Sequence, residues 1–236
     1  MQEDKNIFTT ALDLIISLDK DLLEIVSLSL QVSLTAVFIS ALISVPIGAL
    51  LATYRFYGRA IITGILNACM GLPPVVVGLA LYLLLSHAGP LGDLKLLFTS
   101  TAMVIAQCIL ITPIICSLSQ QTIEDLHHFH AEQFKALGAP TRLTIIPLLW
   151  DSRTSLFTAI LAGFGRASAE VGAVLIVGGN INHLTRVMTT TIALETSKGN
   201  LEMAMALGVV LLIISFAITT AMLLLRRSQQ PAQRAH

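Results

Sequence analysis

Charge is scarce in this chain of 236 residues: Asp, Glu, Lys and Arg make up 12% of it, and 14 basic residues balance 14 acidic ones. A formal charge of zero removes the electrostatic footprint that a nucleic-acid partner requires. Cysteine is rarer still, with three residues and no pairing pattern. Cys108 and Cys116 would sit about 12 Å apart along one helix, too far to bridge, and Cys69 could meet either only through tertiary contact. No Gly-x-x-x-x-Gly-Lys-Ser/Thr loop is present to cradle a phosphate, so any ATP and Mg that drive the protein belong to another subunit. No His-Glu-x-x-His occurs either. His127, His128 and His130, even with Glu124 or Asp125, do not place three imidazoles on one helical face, which removes the basis for a metalloenzyme. No catalytic residue, metal ligand or cofactor of its own is expected. At the N-terminus, the basic n-region and small-residue cleavage site of a signal peptide are lacking.

What fills the chain is apolar surface: 55% of residues are hydrophobic and the mean hydropathy is +0.81. A soluble domain is far less apolar, so the bilayer is the solvent. The expected fold is an all-α integral membrane protein, one transmembrane domain over 1–236. Residues 1–23 read as an amphipathic helix lying on the membrane, with Phe8, Leu12, Ile15, Leu18 and Leu22 at helical spacing and Asp13, Ser17, Asp19, Lys20 and Asp21 on other faces. Five transmembrane helices follow, over 24–54, 60–87, 96–123, 154–178 and 202–225, each with about 20 or more largely uncharged residues.

Prolines punctuate these spans. Pro46 with Gly48 in the first and Pro113 in the third can kink a helix, and membrane helices tolerate this where neighbours satisfy the freed carbonyls. The second contains Gly71-Leu72-Pro73-Pro74-Val75-Val76-Val77-Gly78, where a double proline must break or bend the helix near mid-membrane. Pro73, Pro74 and Gly78 are therefore either packing kinks or the lining of a solute path, since irregular backbone at depth survives only inside protein or beside water. The fourth span carries Arg166 and Glu170 at i and i+4, one turn apart on one face, with Ser168 between them. Intramembrane charges seldom face lipid. The pair reads as an anion contact through Arg166 or as a self-neutralising strut at a helix or subunit seam, in a stretch whose Gly, Ala and Ser let another backbone approach closely.

One sizeable hydrophilic island interrupts the apolar body, over 126–150, with Asp151 and Ser152 offering N-caps for the span that follows. Gly138 suits a left-handed helix end and Pro140 the opening turn of the next helix, so the island reads as a helical hairpin projecting into water. Basic residues near span ends divide unevenly: Arg55, Arg59, Lys135, Arg142, Arg153, Arg226, Arg227 and Arg234 on one side, Lys5, Lys20, Lys95, Arg186 and Lys198 on the other. The richer side is cytoplasmic, which puts the hairpin and the C-terminus inside and the N-terminus outside.

The hairpin resembles the coupling loop of ABC importer permeases, a Glu-Ala-Ala run with a glycine four residues after its last alanine and an Ile-x-Leu-Pro beyond. Gly138 anchors the match. Ala131, Glu132 and Gln133 stand near the Glu-Ala-Ala positions, and Pro147 falls a few residues early. Over about 30–225 the chain is similar to the molybdate, sulfate and tungstate permeases, and is nearest to the tungstate type through Gly71–Gly78, then Ser86-His87-Ala88-Gly89-Pro90-Leu91-Gly92, then Leu97-Phe98-Thr99. Ser168-Ala169-Glu170-Val171-Gly172-Ala173 matches as well. The resemblance implies a type I importer permease fold and a homodimer in the plasma membrane of a prokaryote. It further implies two ATPase subunits docked through Glu132, Lys135, Ala136, Gly138 and Pro140, and an extracytoplasmic tungstate-binding protein. An ion-coupled secondary transporter also accommodates kinked helices and a buried ion pair, but would not need the hairpin.

Overall fold

The computed structural model describes residues 20–136, 138 and 140–229. Residues 1–19, and with them most of the expected interfacial helix, lie outside the described residues. Lys20 to Leu23 already belong to the first helix described, α1 (Lys20–Thr53). Then come α2 (Arg59–Cys69), α3 (Pro74–Leu85), a 3-10 turn (Gly92–Leu94), α4 (Ser100–Phe129), α5 (Ala131–Ala136) and α6 (Thr141–Asp151). The remainder is α7 (Arg153–Ser168), α8 (Gly172–Gly178), α9 (Met188–Lys198) and α10 (Leu201–Gln229). No strand occurs among the described residues.

Among the described residues, three helices are long and apolar enough to cross a membrane, and up to five spans result if two bent pairs each count as one. α1, α4 and α10 are the three. The helix continues through Pro46 in α1 and Pro113 in α4. The double proline behaves otherwise, because α2 ends at Cys69 and α3 starts at Pro74. The pieces are about 16 and about 18 Å long, too short to cross alone.

The expected fourth span, 154–178, is not one helix. α7 stops at Ser168 and α8 begins at Gly172, so Arg166 and Glu170 do not share a continuous helical face. Three hydrogen bonds give partners to polar groups at the break. Glu170 N–H donates to the Ala167 carbonyl (3.2 Å), Thr189 Oγ1 donates to the Glu170 carbonyl (2.8 Å), and Gln107 Nε2 donates to the Ala167 carbonyl (3.2 Å). Away from water an orphaned carbonyl would cost several kcal/mol. The candidate bent pair here is instead α6 with α7, at 69°. Ser152 stands at that junction, as expected, but caps nothing with its side chain: its hydroxyl donates back to the Leu149 carbonyl (3.4 Å).

The described residues form two compact units, interleaved in sequence: those up to 36, 73–107 and 167–220 in one, and those of 37–72, 108–166 and from 221 on in the other. In the first, Leu22 and Ile25 of α1 meet Met188 of α9 and Ala206 and Leu207 of α10. The segment 178–201, between the expected fourth and fifth spans, contains α9, which starts where Met188 N–H donates to Ser29 Oγ (2.7 Å) and stops at Gly199, φ +81°.

In the second unit the packing logic is that of a membrane interior, where lipid is as apolar as leucine and close approach of small residues drives association. Ser40, Ser44, Gly48 and Ala52 recur every four residues along α1 and are buried, while Phe38, Leu42, Ile43 and Leu50 are exposed. A Cβ on Gly48 would stand 2.9 Å from the Cys116 carbonyl oxygen. Ser44 Oγ donates to the Thr112 carbonyl (3.0 Å) and Thr112 Oγ1 to Ser40 Oγ (3.1 Å). All three cysteines are free thiols.

Candidate functional site

Of the six residues expected to line a path or seam, the first unit brings Pro73, Pro74, Gly78 and Glu170 into one neighbourhood. Pro73 is the extended residue ahead of α3 and Pro74 its first helical residue, where a missing N–H costs nothing. α3 then lies backbone to backbone on α8. A Cβ on Gly78 would stand 2.8 Å from Ala173 Cα, and one on Gly172 would stand 2.8 Å from Val75 Cγ2. Val75 pairs with Gly172, and Gly78 with Ala173 and Ile176, so the two helices run in the same direction with their N-terminal ends together.

Glu170 sits at those ends, 3% exposed. Its Oε1 accepts the Ala173 N–H (3.1 Å), so the carboxylate serves the N-terminal turn of α8. Ser168 is the last residue of α7 and half-buried, as is Arg166 two residues earlier. Neither Arg166 nor Glu170 lacks a partner.

The hairpin residues occupy a second region. α5 carries exposed Glu132 and Ala136, Gly138 has φ +61°, and Pro140 (φ −68°, ψ 148°) leads directly into α6. The left-handed conformation at Gly138 is the one its position suggested; the side chain of Lys135 lies outside the described residues. Phe134, Ile145 and Leu149 pack on a core of Ala49, Ala52, Ile123, Leu148 and Leu156. Anchored so, the hairpin leaves Leu143 (67% exposed), Ile146 (74%) and Trp150 (69%) as an apolar stripe at i, i+3 and i+7. The histidines do not gather as metal ligands: His127 stacks on Phe134 with ring centroids 6.2 Å apart, and His130 Nδ1 lies 2.9 Å from Gln133 Oε1.

Two groupings were missed in the sequence. One is a polar ladder between α2 and the end of α4: Arg59 Nη2 to Glu124 Oε1 (2.7 Å), Thr63 with Gln120 (3.2 Å), and Ser117 Oγ donating to Asn67 Oδ1 (2.6 Å). The four-residue steps from Arg59 through Thr63 to Asn67 were the available signal.

The other grouping is Asp21, Glu24 and His183, all exposed, whose ligand atoms lie within 4.8 Å of one another; among the described residues it is the group with donor types for a metal ion. The structure gives it a hydrogen bond instead, His183 Nδ1 to Glu24 Oε2 at 2.8 Å. That bond, then the charge of Glu24, raises the His183 pKa above the ordinary 6.5, with Asp21 assisting and Arg186 opposing. A raised folded-state value means the tether is complete below pH 6.5 and is lost as pH rises through that higher value. Amide exchange in the loop around Ile181 to Thr185, corrected for intrinsic rate, should therefore be faster at pH 8 than at pH 6. Glu24→Gln should abolish the difference.

Broken helices packed through glycine, charge buried at the breaks and an anchored polar hairpin define a polytopic helical membrane protein built around discontinuous helices. The family model described as binding-protein-dependent transport system inner membrane component matches residues 44–235. The chain belongs to that family and is a transport permease. Among curated relatives, the tungstate uptake system permease protein TupB of Peptoclostridium acidaminophilum is 41% identical over 211 residues, 89% of this chain and 92% of the relative. A probable anion ABC transporter permease protein of Haloferax volcanii is 40% identical, covering 84% of this chain and 87% of its own. TupB of Campylobacter jejuni is 34% identical, covering 89% and 88%.

Proposed function

We propose that this chain is the membrane subunit of an ATP-driven importer of a tetrahedral oxyanion, tungstate first, molybdate next and sulfate third. The observation that carries this reading is 41% identity to a tungstate uptake permease along 89% of the chain. The working unit is a homodimer forming a single pathway in the plasma membrane of a prokaryote, with two ATPase subunits on the cytoplasmic side that bind ATP and Mg, and an extracytoplasmic binding protein that delivers the anion. Each chain is one transmembrane domain of five spans, two of them bent, with the N-terminus outside and the C-terminus inside; the distribution of basic residues supports that orientation.

In this reading the hairpin is the coupling element. Glu132, Lys135, Ala136, Gly138 and Pro140 dock on the ATPase, and the exposed stripe of Leu143, Ile146 and Trp150 suits a protein partner better than water. ATP-driven closure draws the two hairpins together, and the pathway alternates between outward and inward access. Pro73, Pro74, Gly78, Arg166, Ser168 and Glu170 line the path or the subunit seam. With so few cations at depth, selection among dianions falls mainly to the binding protein.

The test is uptake into proteoliposomes holding this chain, its ATPase and its cognate binding protein, with ATP on the ATPase side. Tungstate should accumulate and outcompete molybdate and sulfate. ATP-driven uptake of a sugar, an amino acid or a cation would overturn the class, and preference for molybdate would replace the substrate. In the same assay Gly138→Val, strained at positive φ, should insert normally yet lose coupled ATP hydrolysis.

A further inference from the structure

The polar ladder borders a cavity of about 690 Å³ that the path just described does not use. Its wall includes Arg55, Arg59, Thr63, Asn67, Gln120 and Glu124. Resting on the oxyanion reading above, we infer that this cavity is a binding station for a tetrahedral dianion, held by the guanidinium groups of Arg55 and Arg59, with Glu124 as a built-in competitor for Arg59.

The chemistry of the wall carries the assignment. α2 has no buried residue, and the ladder contacts link it to α4. Along the α2 side of the ladder the groups are hydroxyls, amides and a guanidinium, which solvate an anion, and Phe56, Tyr57 and Ala60 complete the lining. Asn67 takes the Ser117 hydroxyl on Oδ1, which leaves its amide N–H groups to donate. A guanidinium is a planar fork that matches two oxygens of a carboxylate or of a tetrahedral oxyanion alike. Glu124 Oε1, 2.7 Å from Arg59 Nη2, therefore occupies the place that an oxyanion oxygen would take. Arg55, exposed at the mouth, adds a second positive charge, so the wall carries two cations against one anion and attracts a dianion.

Competition sets the behaviour of the station. An arriving dianion must displace the Glu124 carboxylate from Arg59, and the returning carboxylate expels the dianion. Such a site binds weakly and releases quickly, as a conduit must, and it reads charge and tetrahedral shape without separating tungstate from sulfate.

Equilibrium dialysis of the purified full-length chain in nanodiscs, against tungstate and, separately, sulfate, tests this. Glu124→Gln removes the competitor and should bind either anion about tenfold more tightly than the unaltered chain, while Arg55→Gln in that background should lose about tenfold. Arg55 lies outside the ladder, so this variant leaves α2 fastened, and a circular dichroism melt matching that of Glu124→Gln alone verifies it. No tightening in Glu124→Gln, or unchanged affinity on adding Arg55→Gln, would overturn the station. The two readings fail separately. Anion binding that follows this pattern in a chain whose assembled importer carries no oxyanion sinks the functional reading alone. Full tungstate uptake by a chain without the pattern sinks the station alone.

Discussion

Gly78→Val is expected to lower both the yield and the melting temperature of the permease sharply. The substituent has nowhere to go: a Cβ at Gly78 meets Ala173 Cα at 2.8 Å, the Ala173 carbonyl oxygen at 3.2 Å and Ile176 Cβ at 3.3 Å. Two of these are backbone atoms, which cannot swing aside as a side-chain tip can. Relief requires α3 and α8 to separate, which opens the contact that Gly172 makes with Val75 from the other side. A cost of about 3 kcal/mol or more follows, a large share of the roughly 5–15 kcal/mol that holds an ordinary domain together. Gly165→Ala is the matched control, because its Cβ would meet nothing within 4 Å and alanine favours helix. Yield of monodisperse protein and thermal unfolding in detergent measure both. A Gly78→Val protein that melts with the unaltered chain would show that α3 and α8 do not pack this closely.

Removing the Glu170 side chain should be nearly as damaging. Glu170→Ala strips the acceptor from the Ala173 N–H in a position only 3% exposed, and disturbs the turn whose carbonyl Thr189 holds. A loss of about 3 kcal/mol is expected, since buried groups left without their partners keep the full cost of desolvation. Glu170→Gln keeps an oxygen for the Ala173 N–H but removes the charge, so it should fall between. If Arg166 and Glu170 neutralise each other, the double variant Arg166→Met/Glu170→Gln should express better than Glu170→Gln alone. Equal expression of the two would count against that neutralisation.

The legible parts of the fold are those written in backbone chemistry. Pro73-Pro74 removes two consecutive N–H donors, and no tertiary arrangement restores them, so the break between α2 and α3 could be read directly. Gly138 likewise sits in the conformation that its place at a helix end implies. The break after Ser168 is different. Ala-Ser-Ala-Glu-Val has no helix breaker, and what ends the helix is a set of partners far away in sequence: Gln107 for the Ala167 carbonyl and Thr189 for that of Glu170. α9 was hidden for a related reason. Its run of Thr189, Thr190 and Thr191 reads as polar loop, yet Thr190 and Thr191 are buried and spend their hydroxyls inside: Thr190 Oγ1 donates to Asn180 Oδ1 (2.9 Å) and Thr191 Oγ1 to the Val187 carbonyl (2.7 Å). The ladder was half visible. Spacing puts Arg59, Thr63 and Asn67 on one face, but spacing on one helix cannot say which helix answers it.

That ladder also bears on how the chain enters the membrane. α2 carries an arginine at its start, then a threonine and an asparagine, within 11 residues, and a segment so short gains too little from lipid to stay there on its own. Its answering groups, Ser117, Gln120 and Glu124, are synthesised some fifty residues later. During biogenesis α2 must wait at the water interface or inside the insertion machinery until α4 emerges, and the two then partition together as a hydrogen-bonded pair. A ribosome stalled before residue 117 would hold a chain with α1 inserted and α2 still outside the bilayer.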